Sequence, residues 1–303
     1  MASGIIIPRR LRRGEAIGIV APAGPVAPFE LDPSIELLES LGHPIIPAPH
    51  IYQKQDYLAG EDHLRLEDLH DMFLNEQVKA VICVRGGYGT MRLLNHIDFD
   101  LIREHPKIIV GYSDITALLL GLYQKTGLIT FHGPVIRDMA KKDRKNVEIL
   151  MRIIRTGEQP EFDLRKATVL KSGTATGNII GGNLSLICHL VGTPYLPSMK
   201  GALLFVEDCG EPIYRIDRML SHLRLAGLLT EISGLIGGHF QDCGDQKAID
   251  QLLVEVVSDE DIPVVSGISI GHGNVNIAFP IGCKAALDTE GKGLTLMGPY
   301  VRD

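Results

Sequence analysis

Apolar and polar positions in the first half of the chain follow two alternating rhythms. Ala16-Ile17-Gly18-Ile19-Val20-Ala21 is a short continuous apolar run ended by the turn Pro22-Ala23-Gly24-Pro25, the pattern of a buried strand. Ser34 through Leu41 then carries apolar residues at helical spacing and stops at Gly42, and His63 through Phe73 reads as a second amphipathic helix. Lys79 to Val84 is another buried strand, followed by a helix predicted around Thr90 to Asn95. Ile108-Ile109-Val110-Gly111 is a third, and an apolar helical stretch begins almost at once, from Ile115. Short β-rich runs alternating with helices predict a mostly parallel, doubly wound sheet, whose sites form at the carboxyl ends of its strands.

The rhythm breaks between about Arg137 and Ser172. Lys141-Lys142-Asp143-Arg144-Lys145 is polar and charged, and Thr156-Gly157-Glu158-Gln159-Pro160 reads as loop. The pattern therefore predicts an α/β domain over residues 1–150, a linker over 151–172 and a second domain over 173–303. That second part is glycine-rich, with apolar strands at Gly201 to Val206, Leu235-Ile236, Val264-Val265 and Leu294 to Leu296. Two strong helices stand out in it, Tyr214 to Leu225 and Gln246 to Val257. It is expected to be smaller and β-rich, an α+β or barrel-like unit.

Composition narrows the function classes. The length of 303 residues suits two domains of roughly 150, and 45% hydrophobic with 22% charged residues is an ordinary globular balance. A net charge of −7, with no basic block beyond Arg9-Arg10-Leu11-Arg12-Arg13, argues against nucleic acid as a partner. Trp is absent and aromatics are 5%, which removes base-stacking platforms as well. No stretch offers about 20 uninterrupted apolar residues, and the first residues lack a signal-peptide core, so no membrane association is expected. Cys83, Cys188, Cys209, Cys243 and Cys283 lie far apart without a C-x-x-C pair, the usage of reduced thiols in a cytoplasmic protein. No zinc spacing and no H-E-x-x-H is present, so no metal is expected.

The chemistry concentrates at strand ends. In Gly111-Tyr112-Ser113-Asp114-Ile115 a serine sits at the bend between strand and helix, where its hydroxyl stands clear of the sheet beside free helix N–H groups. The plainer alternative is that Ser113 or Asp114 caps the helix. Arg85-Gly86-Gly87-Tyr88-Gly89-Thr90 follows the preceding strand of the same sheet, and its double glycine can turn backbone N–H groups toward an oxyanion or phosphate. A plain tight turn is the alternative, and the glycine spacing is not a nucleotide fingerprint. A serine nucleophile needs a base oriented by a carboxylate. His132, His239 and His272 all sit where a strand meets a loop, and the flanking glycines of His272 leave its ring the most accessible. Glu207 ends an apolar strand, with Asp208 and Glu211 as competitors for the acid.

Taken together, these segments resemble the LD-carboxypeptidase family of serine peptidases along most of the chain. Tyr57-Leu58-Ala59-Gly60, Arg85-Gly86-Gly87-Tyr88-Gly89, Gly111 to Ala117 and Phe131-His132-Gly133-Pro134 look like its N-terminal signatures. Gly181 to Leu186, Val206-Glu207-Asp208, Tyr214 to Arg218 and Gly271-His272-Gly273 look like its C-terminal ones. The resemblance implies a flavodoxin-like N-terminal domain and a smaller β-rich C-terminal one. It implies Ser113 as nucleophile, His272 as base and Glu207 as the carboxylate, without metal or cofactor. The oxyanion hole would be the backbone N–H of Asp114 with that of Gly86 or Gly87. Arg85 is the candidate cation for a substrate carboxylate, on position alone. The implied enzyme is a cytoplasmic homodimer that removes the terminal D-alanine of a murein tetrapeptide in peptidoglycan recycling. A rival branch of the family resembles the microcin C self-immunity proteins, which cleave acyl-sulfamoyl adenylates and stack a tryptophan on the adenine. This chain has no Trp, and Lys171 to Asn178 leaves little room for an extended loop. A non-catalytic small-ligand-binding protein is the remaining reading.

Overall fold

Strand and helix alternate through the first half much as the patterning predicts. A computed structural model describes residues 4–160, 162–164, 167–291 and 293–303. Its first elements are β1 (Ala16–Val20), α1 (Pro28–Ser40), β2 (Ile45–Pro47), α2 (Asp62–Leu74) and β3 (Val78–Cys83). They are followed by α3 (Thr90–Leu93), α4 (Phe99–Glu104), β4 (Ile108–Gly111), α5 (Ile115–Thr126) and β5 (Thr130–His132). The five strands run parallel in the order β2-β1-β3-β4-β5, which is the flavodoxin-like arrangement. Helices cover both faces, so β1 and β4 are buried at every residue and read as continuous apolar runs. α1 begins at Pro28 rather than at Ser34. Proline is preorganised for the first turn, and the Glu30 carboxylate accepts the Ala27 N–H at 3.0 Å.

The chain continues with α6 (Ile136–Met139), α7 (Lys145–Thr156), β6 (Phe162–Asp163), β7 (Thr168–Lys171) and β8 (Thr174–Asn183). Then come α8 (Leu184–Leu190), β9 (Leu203–Cys209), α9 (Ile213–Leu225), β10 (Gly234–Gln241), α10 (Gln246–Glu255) and β11 (Val264–Ser266). β12 (Phe279–Ile281), β13 (Lys284–Asp288) and β14 (Gly293–Leu296) complete it. A second sheet of eight strands, ordered β6-β14-β13-β8-β9-β10-β11-β7, curls into a half-barrel. Its centre, β8 to β11, is parallel, and α8, α9 and α10 are the crossovers. The flanking strands are antiparallel.

Two features depart from the predicted boundaries. The 151–172 segment is not a free linker. α7 runs across its start and buries Val147, Leu150, Met151, Ile153 and Ile154, while β6 and β7 edge the second sheet. The charged run Lys141 to Arg144 precedes α7, whose own charges at Lys145, Glu148 and Arg152 lie on its exposed face. Nor do the halves stay separate, because β12 adds antiparallel to β5 in the first sheet. Phe279 of β12 packs edge-on against Phe205 of β9, with ring centres 5.0 Å apart, so one apolar core runs through both sheets.

The two sheets meet where their strands end. The Asn183 N–H at the end of β8 donates to Thr116 Oγ1 in the first turn of α5, at 3.1 Å. Gly182 makes this approach possible. Its φ is +141°, and a Cβ there would lie 2.5 Å from Thr116 Cγ2.

Candidate active site

Ser113 stands at the sharpest point of the strand–helix turn. Its φ is +64°, a conformation that a serine adopts only when its surroundings hold it there. α5 starts immediately, with the Thr116 N–H bonded to Ser113 O at 2.9 Å. The chain must therefore reverse within two residues, and the hydroxyl is left at the carboxyl edge of the sheet.

The glycine loop after β3 comes right up to this turn. A Cβ on Gly86 would lie 2.8 Å from Ser113 Cβ, 3.0 Å from Oγ and 3.4 Å from the Asp114 nitrogen. The Asp114 side chain ties the two together: its carboxylate accepts the Thr90 N–H at 3.0 Å, and Thr90 Oγ1 donates to Asp114 O at 2.6 Å. Burial holds the Asp114 carboxyl above its ordinary pKa, against the pull of the Thr90 bonds. Substituting Gly86→Ala should push Ser113 aside. Activity should fall about 100-fold with an unchanged circular dichroism spectrum, and full activity would show that the loop does not abut the reacting centre.

His272 bridges the two sheets. Its Nε2 lies 3.1 Å from Ser113 Oγ and its Nδ1 lies 2.6 Å from Glu207 Oε2. Its backbone N–H also donates to Oε2, at 3.2 Å. Glu207 is fully buried near the end of β9, so this carboxylate points inward rather than into water. With Nδ1–H directed at Glu207, Nε2 is the nitrogen free to accept the serine proton. Burial alone would lower the pKa of His272, but the hydrogen bond and charge of Glu207 outweigh it and hold the imidazole above its usual value. The Tyr112 ring stands edge-on to it at 4.9 Å.

The competing candidates are held away from Ser113. His132 is sealed in the core, where burial drives its pKa down to about 3, so it stays neutral. His239 Nε2 is engaged with Val275 O at 3.1 Å. Asp208 points to the opposite face of β9 from Glu207, as strand alternation requires. It accepts from Asn183 Nδ2 at 3.0 Å and from the Ser185 N–H and hydroxyl at 2.9 and 2.8 Å, capping α8. Glu211 pairs with Arg215 at 3.2 Å. Arg85 donates from Nε to Gly86 O at 3.2 Å and from Nη1 to Pro25 O at 3.1 Å, bracing the glycine loop while Nη2 takes no part in those bonds.

Lys142 and Asn146 were missed by sequence reasoning, lying inside what reads as a charged connector. Both reach the loop that carries His272. Only their distance in space from that loop reveals them, since some 130 residues separate the partners. Among the described residues, no group of three or more His, Cys, Asp or Glu side chains is placed to hold a metal, and no helix is long and apolar enough to cross a membrane.

Comparison with known proteins points to one family. The LD-carboxypeptidase N-terminal domain family matches residues 17–133, and the LD-carboxypeptidase C-terminal domain family matches residues 176–287. The chain is 40% identical over 294 residues to the probable murein peptide carboxypeptidase of Bacillus subtilis (strain 168), covering 94% of this chain and 92% of that one. The solved muramoyltetrapeptide carboxypeptidase from Oxalobacter formigenes is similar with a TM-score of 0.84 at 30% identity, over 95% of this chain and 100% of that one. The microcin C7 self-immunity protein MccF, known from Escherichia coli, is similar in its complex with glutamyl sulfamoyl guanosine. That likeness has a TM-score of 0.89 at 25% identity, over 98% of this chain and 99% of the other.

Proposed function

The chain belongs to the LD-carboxypeptidase family, and from that premise we propose that it is a serine carboxypeptidase acting on murein peptide, releasing the terminal D-alanine of a tetrapeptide. The observation that carries this reading is the single imidazole within hydrogen-bond reach of both Ser113 Oγ, at 3.1 Å, and the buried Glu207 carboxylate, at 2.6 Å. His272 Nε2 takes the hydroxyl proton as Oγ attacks the scissile carbonyl, while Glu207 keeps the ring in the productive tautomer and stabilises the imidazolium. The oxyanion meets the Asp114 N–H and that of Gly86 or Gly87, a reading that the close approach of Gly86 to Ser113 supports. His272 then returns the proton to the departing amine of D-alanine. Water attacks the acyl-enzyme by the same route in reverse, restoring Ser113. Arg85, through Nη2, is the cation proposed for the substrate's free carboxylate. The proposal places the enzyme in the cytoplasm as a homodimer, and light scattering of the purified chain reads that assembly directly.

The similarity to MccF supports a second reading, hydrolysis of an acyl-sulfamoyl nucleotide. Against it, only Ser172 and Gly173 separate β7 from β8, and the chain holds no Trp to stack on a base. A side-by-side assay of murein tetrapeptide and an acyl-sulfamoyl adenylate decides between them. Turnover of the tetrapeptide should be the faster by far, insensitive to chelators. Preference for the adenylate would reverse the assignment.

A further inference from the structure

His272 has to satisfy partners on two different sheets. Its bonds to Glu207 fix the ring and the backbone N–H to β9, but they leave its distance to Ser113 unspecified. That distance depends on how the loop 271–276 is seated against the first half of the molecule.

The segment entering α7 provides the seat. Lys142 Nζ lies 3.2 Å from Gly273 O and 3.5 Å from His272 O, and 3.3 Å from the Tyr112 hydroxyl. It also pairs with Asp138 Oδ2 at 3.5 Å. Asn146, 1% exposed, donates from Nδ2 to Asn274 O at 2.9 Å and accepts the Asn276 N–H on Oδ1 at 2.8 Å. Asn276 Oδ1 in turn accepts the Gly271 N–H at 2.8 Å, closing the loop on itself. Two side chains therefore bind backbone groups of four consecutive or near-consecutive loop residues on the far side of the site. α7 is itself tied to the N-terminal segment through Leu11 N–H and Ile154 O at 2.9 Å, so the grip comes from the half that carries Ser113.

We propose that Lys142 and Asn146 form a polar clasp that seats the histidine loop and so sets the His272–Ser113 distance. Both are positioning residues, acting through the loop backbone without touching the reacting atoms. The inference rests on the reading of Ser113, His272 and Glu207 as the catalytic unit. It assigns the polar segment between α6 and α7 a task that composition alone presents as solvated connector.

The clasp has an electrostatic signature that a purely structural role lacks. The groups acting on His272 are Glu207 and Asp208 from β9, Lys142 from the clasp, and the uncharged Tyr112 and His132 behind it. Lys142 is the cation among them, and it opposes protonation of the ring. Removing its charge must raise the pKa of His272, and the acid limb of kcat/KM then moves to higher pH.

The test measures kcat and KM for D-alanine release from murein tetrapeptide across pH, using the full chain and the variants Lys142→Met, Lys142→Arg, Asn146→Ala and Asn146→Asp. Lys142→Met and Asn146→Ala should lower kcat about 10- to 100-fold with KM nearly unchanged. Of these two, only Lys142→Met should shift the acid limb upward, and Lys142→Arg should restore most of both. Asn146→Asp, which keeps the acceptor but turns an anionic oxygen toward Asn274 O, should lower kcat at least as far and move the acid limb upward through its added negative charge. Wild-type kcat in folded clasp variants overturns the proposal, as does an effect confined to KM, which would make Lys142 a substrate contact. Loss of the triad reading is separately visible, as full activity in Ser113→Ala.

Discussion

Replacing Ser113 by alanine should abolish D-alanine release from a purified murein tetrapeptide, with a fall in kcat of about ten-thousand-fold or more. The variant deletes one oxygen and keeps the Cβ, so it leaves the strained turn, the start of α5 and the Gly86 contact in place. Alanine tolerates the positive φ no better and no worse than serine does, and the thermal midpoint should move little. What remains is an oxyanion hole and a histidine that can still recruit water, which accounts for any residual rate. Intact-mass spectrometry during turnover should reveal an acyl adduct on the wild type and none on the variant. Undiminished turnover would falsify the serine mechanism, and an adduct that persists in the variant would place the nucleophile elsewhere.

The turn that carries Ser113 was legible in sequence because its determinants are local, whereas the choice between helix cap and nucleophile was not, and rested on the family resemblance. The run Ile108 to Gly111 specifies a buried strand, and the apolar stretch from Ile115 specifies a helix, so little but a sharp bend can join them. The glycine loop was legible for the same reason, because it ends the neighbouring parallel strand and must open on the same edge. Choosing among His132, His239 and His272 was harder. Flanking glycines favoured His272, but what separates the three is burial and long-range hydrogen bonding, neither of which is written near the residue. α7 was lost because its polar entry hides the apolar spacing of Val147, Leu150, Met151 and Ile154 behind a run of charges. β8 was lost because threonine, glycine and asparagine dominate it, and its glycines serve close approach, Gly182 to α5 and Gly177 and Gly181 to the backbone at Gly201 and Phe205, rather than strand propensity. β12 could not be placed at all, since its pairing with β5 spans nearly half the chain. The same holds for Lys142 and Asn146, whose partners lie far along the sequence and whose residue types are those of ordinary surface.

Glu207→Gln should cost about a thousand- to ten-thousand-fold in kcat while leaving KM close to its wild-type value. Glutamine matches the volume of a fully buried side chain, so the change removes charge and alters hydrogen bonding without opening a cavity. Oε2 now accepts from both His272 Nδ1 and the His272 N–H. If the amide nitrogen turns toward the ring, Nδ1 becomes the acceptor and the proton moves to Nε2, where no base remains for Ser113. If the amide oxygen faces the ring instead, the tautomer survives but the imidazolium formed during attack loses its compensating charge. Either way the acid limb of kcat/KM should move to lower pH, because the bond and charge of Glu207 are what raise the pKa of His272. The same shift governs stability. A folded-state pKa raised above that of the unfolded histidine adds stability that is complete below about pH 6.5 and fades as pH climbs through the raised value. The gap in thermal midpoint between wild type and Glu207→Gln should therefore be widest in mild acid and narrow above neutrality. A constant gap from pH 5 to pH 9, or wild-type kcat in the variant, would show that Glu207 does not act through His272.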